Sequence, residues 1–318
     1  MRKRLNVRPC RFTAVTGLRA TVMTAAAALG LSAAAVAPAE AATVKVTSHF
    51  VWVATSANNA GDSTFINNGA TNGRPGDLLF ITPNLTPGGI NPCFPAVCLL
   101  TPLSPVGVWY SNKYKQWTIF NEDASDMGSL FAYNVLVVPK SSRSAFVHEA
   151  TTSNTSGNRT LLNSRLLNGK PTALVLITQN RNPNGAGGIA DNHPAGVRYY
   201  KSLKRWGIFN EGGGAMPLGA AFNVLVGQGA SNGGKMTVLK ATGSNRVGSS
   251  VLINNAETNA NPNNVTFVTQ DFNPGGKGGT ADKYPVQVAY FGTRENVLNW
   301  AGTKQKVGTA YNVLIFSS

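Results

Sequence analysis

Side-chain catalysis needs groups that exchange protons or attack, and these are scarce here. The 318 residues include 13 Asp and Glu, three His and three Cys. Asp191, His193 and Ser202 are the types a nucleophilic triad requires, in which an acid orients the imidazole and the imidazole deprotonates the hydroxyl. No G-x-S-x-G turn or comparable context frames Ser202. His49, His148 and His193 stand in unrelated contexts. Glu122 and Glu211 are an acidic pair at corresponding positions of a repeated pattern, but no acid recurs in all three copies, and the third slot of this column holds Trp300. That is too little for the two carboxylates of glycoside cleavage. EF-hand and RTX calcium patterns are missing. The residues predict a protein that is not an enzyme and uses no cofactor or metal.

Binding chemistry is better supplied. Trp117 and Trp206 share one column of the repeat, which holds Glu295 in the third copy. An apolar core rarely exchanges Trp for Glu, so this column is expected to be partly exposed. With Trp109 or Tyr114 it would then offer a stacking face to a sugar ring; the alternative is an aromatic that covers the core edge beside a hairpin. Arg198, Lys201, Lys204 and Arg205 place four charges on one hairpin, either a docking patch for an acidic polymer or a solvated tip. Asn121 and Asn210 recur in the pattern IFN. Their amides either line a recognition groove or satisfy backbone groups inside the fold, since a buried amide must be paired.

The elements that carry these residues repeat three times along the sequence. GVWYSNKYKQWTIFNED (107–123), GVRYYKSLKRWGIFNEG (196–212) and the decayed QVAYFGTRENVLNWA (287–301) are followed by AYNVLV, AFNVLV and AYNVLI. Asn121, Asn210 and Asn299 are spaced by 89 residues, and so are Asn134, Asn223 and Asn312. Upstream, LLFITPN (78–84), LVLITQN (174–180) and VTFVTQD (265–271) align as well. The units are 42–140, 141–229 and 230–318. Unit one carries an insertion with Cys93 and Cys98, expected to form a disulfide that pins the inserted loop. Asn84, Asn154, Asn158 and Asn264 lie in N-x-S/T sequons, relevant only in a host that glycosylates exported proteins.

The apolar runs are short, rich in Val, Ile, Phe and Tyr, and bounded by Asn, Gly and Pro. This predicts an all-β protein of three antiparallel β-sandwich or barrel repeats, with about six strands each. The alternative is one closed pseudo-threefold β body with a shared core. Alternation of side chains assigns the Val108/Val197/Val288 and Tyr110/Tyr199/Tyr290 columns to the core, and Trp109, Arg198 and Ala289 to the outside. The AFNVLV strand, apolar on both faces, should be central and covered. The GVWY…W-x-IFNE…AFNVLV block resembles the tandem repeats of secreted bacterial proteins in a domain-of-unknown-function family, a resemblance that carries no known activity.

Residues 1–41 read as a secretory signal, with a basic start, an Ala-rich apolar stretch and Ala39-Glu40-Ala41 before the cut. The signal holds six basic residues and one acid, so the formal +15 falls to +10 on the mature chain. Unit one is neutral, and units two and three carry +6 and +4. The charge is therefore local, which disfavours nucleic acid as partner, and no nucleic-acid-binding motif accompanies it. The expectation is a secreted or cell-surface-associated protein with no membrane span after signal cleavage. It would bind carbohydrate or an anionic cell-envelope polymer without catalysis; the rival is a structural or protein-interaction module.

Overall fold

Each repeat folds into seven strands in the same order. The computed structural model describes residues 43–90, 104–185, 187–227, 233–299 and 302–317; the signal segment and both Cys93 and Cys98 lie outside these. Repeat one contains β1 (Ser48–Val53), β2 (Asn59–Ala60), β3 (Ser63–Ile66), β4 (Leu78–Pro83), β5 (Val106–Ser111), β6 (Gln116–Asn121) and β7 (Ala132–Val138). Repeat two contains β8 (Ala145–Glu149), β9 (Thr155–Ser156), β10 (Arg159–Leu161), β11 (Leu174–Asn180), β12 (Ala195–Tyr200), β13 (Arg205–Asn210) and β14 (Ala221–Gly227). Repeat three contains β15 (Lys235–Lys240), β16 (Arg246–Val247), β17 (Ser250–Leu252), β18 (Val265–Asp271), β19 (Val286–Phe291), β20 (Arg294–Asn299) and β21 (Ala310–Phe316). The class is all-β. The two-residue strand β2 and its counterparts escape sequence reading because so short a segment has no visible period.

Within repeat one, β7 lies between β1 and β4, and a second antiparallel layer runs β2-β3-β6-β5. Ile66, Val108, Tyr110, Trp117 and Ile119 of one layer meet Leu79, Tyr133, Val135 and Val137 of the other. Repeats two and three build matching cores. The Val column is as alternation requires, with Val108, Val197 and Val288 fully buried; of the Tyr column, Tyr110 and nearly Tyr199 are buried, whereas Tyr290 is only half-buried and lies outside the core of its repeat.

β7, β14 and β21 are covered on both faces because they serve two cores. Tyr133, Val135 and Val137 face the repeat's own core. The intervening Leu136 and Val138 join Leu78, Phe80, Leu176, Leu225, Phe267 and Phe316 in a core shared by all three repeats. Residues 40–318 thus form one compact unit, which corresponds to the shared-core arrangement rather than to self-contained sandwiches.

The repeats join in a cycle. β5 pairs in parallel with β11 through Gly107 and Val108, and β12 with β18 through Gly196 and Val197. At the third junction, Asn84 of repeat one bridges Val288 of repeat three. Short connections impose antiparallel pairing only within a repeat; these parallel pairs form between repeats and so leave no trace in connection length. They merge neighbouring layers into two seven-stranded sheets.

Three sets of side chains hold the cycle. Asn134, Asn223 and Asn312 each donate Nδ2 to a backbone carbonyl of a neighbouring repeat: Thr266 at 2.8 Å, Leu79 at 2.9 Å and Val175 at 3.0 Å. The hydroxyls of Thr82, Thr178 and Thr269 accept the N–H of Val268, Ile81 and Ile177 at 3.0, 3.1 and 2.9 Å. Asn182 accepts from Tyr110 N and donates to Tyr110 O, at 2.7 and 2.8 Å, and so imitates one more residue of β-ladder. Asn273 does the same to Tyr199, and Thr86 to Tyr290. The Asn134/Asn223/Asn312 column and the pair Asn182 and Asn273 thus join repeats, while others such as Asn58, Asn154 and Asn245 hold turns within one repeat.

Candidate functional site

The predicted site residues divide between interior and surface. Trp117 and Trp206 are interior, each with 0% exposure. Trp117 donates its indole N–H to Arg74 O and Trp206 to Lys170 O, both at 2.9 Å. Each ring is covered edge-on by Tyr110 or Tyr199. No ring face remains for a sugar, so the expected exposure of this column is corrected.

The misleading signal was Glu295, and its surroundings explain how a core accepts it. Glu295 is buried and faces Asn264, whose Nδ2 donates to Glu295 Oε2 at 3.3 Å and to Asn261 O at 2.6 Å. Asn261 occupies the position of Arg74 and Lys170, so the Asn264 amide replaces the indole as donor to that carbonyl. Burial pushes the Glu295 carboxyl up to about 8, and the Asn264 hydrogen bond opposes this only in part. The side chain is therefore a neutral acid near neutral pH, which a core tolerates far better than a charge.

Asn121 and Asn210 are also buried and committed. Asn121 donates to Ser125 O at 3.0 Å; Asn210 donates to Asp191 Oδ1 at 3.1 Å and Ala215 O at 3.2 Å. Both amides hold the loop that follows their strand, so neither lines a groove.

The acids serve junctions. Glu122 Oε2 accepts from Asp191 N at 3.1 Å, and Glu211 Oε2 from Asp282 N at 3.2 Å. Burial, reinforced by Asp191, raises Glu122 well above the carboxylate range; burial first, with Asp282 and Asp271 adding to it, raises Glu211 to about 8. Gly107 and Gly196 make room for these carboxyls, since a Cβ there would lie 2.2 Å from Glu122 Oε1 and 2.4 Å from Glu211 Oε1. Asp191 and His193 do pair, at 2.9 Å. The far nitrogen of that imidazole abuts Gly214, and Ser202 lies at an exposed hairpin turn. Among the described residues no group of three or more His, Cys, Asp or Glu is placed to hold a metal.

The remaining predicted residues are on the outer sheet faces. Trp109 is half-buried, with its indole N–H held by Ser63 Oγ at 3.1 Å. Phe65, half-buried between, makes edge contacts to Trp109 at 6.0 Å and to Tyr114 at 5.2 Å. Tyr114 is 53% exposed, with the Lys113 ammonium 4.9 Å from its ring centroid. Beside this cluster a pocket of about 340 Å³ is lined by Trp109, Arg181, Asn182, Gly187 and Gly188.

The equivalent face of repeat two is cationic. Arg198, in the Trp109 column, lies over Phe272 at 4.4 Å and Tyr200 at 5.1 Å. Arg159 covers Tyr200 at 4.6 Å, a residue the sequence reading missed because its column holds Ser63 in repeat one. Lys201 and Lys204 are exposed at the turn and Arg205 is half-buried. The third equivalent, Ala289, is packed with Leu85 and Leu298 at the closing junction and offers no outer face.

A family model described as a domain of unknown function (DUF7452) matches residues 107–226 and 196–315. The chain belongs to this family. Both matches start at the GVWY strand of one repeat and end on the AFNVLV strand of the next, so the family unit spans a junction and includes the parallel pairs β5–β11 and β12–β18. No curated protein and no solved structure matches the chain. Among the described residues no helix is long and apolar enough to cross a membrane.

Proposed function

We propose that this is a secreted, non-catalytic binding protein whose outer faces take carbohydrate, in particular the anionic polymers of a cell envelope. The observation that carries this reading is the half-exposed Trp109–Phe65–Tyr114 cluster beside the Arg181 pocket. An indole fixed by its N–H to Ser63 presents a ring face at little further entropic cost, and pre-organisation of this kind favours binding. Arg181 supplies a guanidinium at the same place, suited to carboxylate or phosphate groups along a sugar chain. Arg159 and Arg198 are held against aromatic rings in repeat two, with Lys201 and Lys204 extending the same positive face. Two linked faces on one body allow avidity along a repeating polymer.

A glycan array and sedimentation with purified cell wall test this, with Trp109→Ala as the informative variant. Removing the ring should weaken binding at least about tenfold, equivalent to ~1.4 kcal/mol, without unfolding the protein, since Trp109 lies outside the repeat core. Binding that weakens with added salt assigns the larger share to the cationic face. Absence of binding to any glycan or wall fraction, at low and at physiological salt, would overturn the proposal and favour a purely structural module.

A further inference from the structure

In repeat three an open groove of about 510 Å³ lies between β15, the loop after β18 and the turn before β21. β15 supplies Val238 and Lys240, the loop Pro274 and residues 277–280, and the turn Gly308. The volume is ordinary for a small-molecule site. The same positions in repeat two show what is particular to this groove. The framework is shared, with Val147, Pro183 and Gly219 in place of Val238, Pro274 and Gly308. The loop also takes the same course, since a Cβ on Gly188 would run into the Arg181 carbonyl and one on Gly279 into the Phe272 carbonyl. Ile189 packs over Gly219 as Thr280 does over Gly308. The chemistry is what differs: Glu149, Ala186 and Ile189 give way to Lys240, Lys277 and Thr280. An acid becomes a cation, a methyl group a second cation, and an alkyl chain a hydroxyl.

These donors are not used by the protein itself. Neither lysine forms an ion pair with a described residue, and no acid lines the groove. Asp282, two residues beyond Thr280, is buried and accepts from the Tyr311 hydroxyl at 2.7 Å. Lys240 and Lys277 are exposed, and their flexible four-carbon stems let both ammonium groups reach one ligand in the groove they line. The Thr280 hydroxyl lies 3.5 Å from Val307 O, too far to commit its proton. Among the described residues, no backbone carbonyl accepts the N–H of Lys277, Gly278 or Gly279.

The groove thus offers two mobile point charges, a hydroxyl and free backbone donors. Such a set suits a tetrahedral dianion, whose oxygens accept from several directions, and lysine serves phosphate as a point charge. A phosphate group alone fills only a small part of the space, and Val238 and Pro274 leave an apolar wall for the remainder. We propose that this groove binds a sugar-sized phosphate monoester, with the phosphoryl group between Lys240 and Lys277 and the organic part against Val238 and Pro274. The site is on the repeat that has no outer aromatic face, and it does not depend on the Trp109 cluster or on the arginines of repeat two.

Glucose 6-phosphate is the probe, with glucose as the neutral control and glycerophosphoglycerol as a phosphodiester carrying a single charge. Calorimetric titration at low salt should give one site per chain for glucose 6-phosphate, with millimolar or tighter affinity. Glucose should not bind, and the diester should bind more weakly than the monoester. Lys277→Ala and Lys240→Glu give the groove the residue types of repeat two, at exposed positions where both variants should fold with unchanged Tm. Lys277→Ala should weaken binding about fivefold, as expected for an exposed ion pair, and Lys240→Glu more, because it reverses the charge. Arg165→Ala removes a positive charge from an exposed position of repeat two and should change affinity less than about twofold, since salt screens distant charges. The proposal is overturned if glucose 6-phosphate does not bind, if glucose or the diester binds as tightly, or if the two lysine variants weaken binding no more than Arg165→Ala does.

Discussion

Replacing Asp271 with Asn should stabilise the protein, by an amount that grows with pH. Asp271 occupies the position of Asn84 and Asn180, whose Nδ2 groups donate to the staple residues Asn134 and Asn223 at 2.9 Å. In repeat three the staple is Asn312, and its Oδ1 is buried without a donor. A protonated Asp271 can supply the missing donor, and burial indeed pushes its carboxyl from 3.8 up to about 7, against the opposing pull of hydrogen bonds from Asn273 and Asn312. The sign follows from linkage. The folded state keeps this proton while the unfolded chain releases it above pH ~4, so the stability it contributes is full below 3.8 and is lost as pH rises through 7. Roughly three pH units at ~1.36 kcal/mol each amount to about 4 kcal/mol at pH 8. Asn cannot titrate, can donate to Asn312, and can still accept from Asn273 N as Asp271 does at 3.1 Å. Urea unfolding of both proteins between pH 4 and 8 measures the difference, which should be small at pH 4 and reach a few kcal/mol in favour of Asp271→Asn at pH 8. A difference independent of pH, or a variant less stable at pH 8, would refute the protonated-staple argument.

Three further outcomes follow from the same interior. Asn223→Ala leaves the Leu79 carbonyl unpaired at the shared core and should cost roughly 1–3 kcal/mol in chemical unfolding, with repeats one and two loosening together rather than repeat two alone. Gly196→Ala forces a Cβ against Glu211 Oε1 and should lower Tm by several degrees; pairing it with Glu211→Ala should restore part of the loss. Glu295→Gln should flatten the fall in stability between pH 4.5 and 8, because the folded-state value of about 8 makes this carboxyl another group whose contribution disappears as pH rises.

Much of this molecule could be read from its residues. The aligned blocks of the three copies located the strands from LLFITPN to AYNVLV, and the alternation in GVWY placed Val108 and Tyr110 inside and Trp109 outside because a strand has a period of two. The doubly apolar AFNVLV strand was recognisably covered. What it is covered by was not legible, because the shared core arises between residues of different repeats, such as Leu79 and Asn223. Trp117 was misread for a related reason. A column holding Trp, Trp and Glu looks solvent-facing only if Glu is assumed charged; burial keeps it neutral, and the amide it faces there, Asn264, sits 31 residues away. Asn121 and Asn210 share one structural role that sequence could not assign, because a buried amide and a ligand-facing amide look alike there.

The cyclic join between repeats also bears on how the chain folds and comes apart. Thr86 meets Tyr290 across 204 positions, and the three Asn staples connect residues 132 to 144 apart. Contacts this distant must meet the entropy of loop closure before they return any stabilisation, which makes folding slow. Until repeat three arrives, β4 and its neighbours present open edges, the stage at which such a chain is most prone to misassociate. Once closed, the same connectivity acts in the other direction. A repeat that loses one junction is still held by its second, so no part can leave first and return later. Unfolding should therefore occur as a single, rare event for the whole body, giving persistence in harsh surroundings that is set by a rate rather than by equilibrium stability alone.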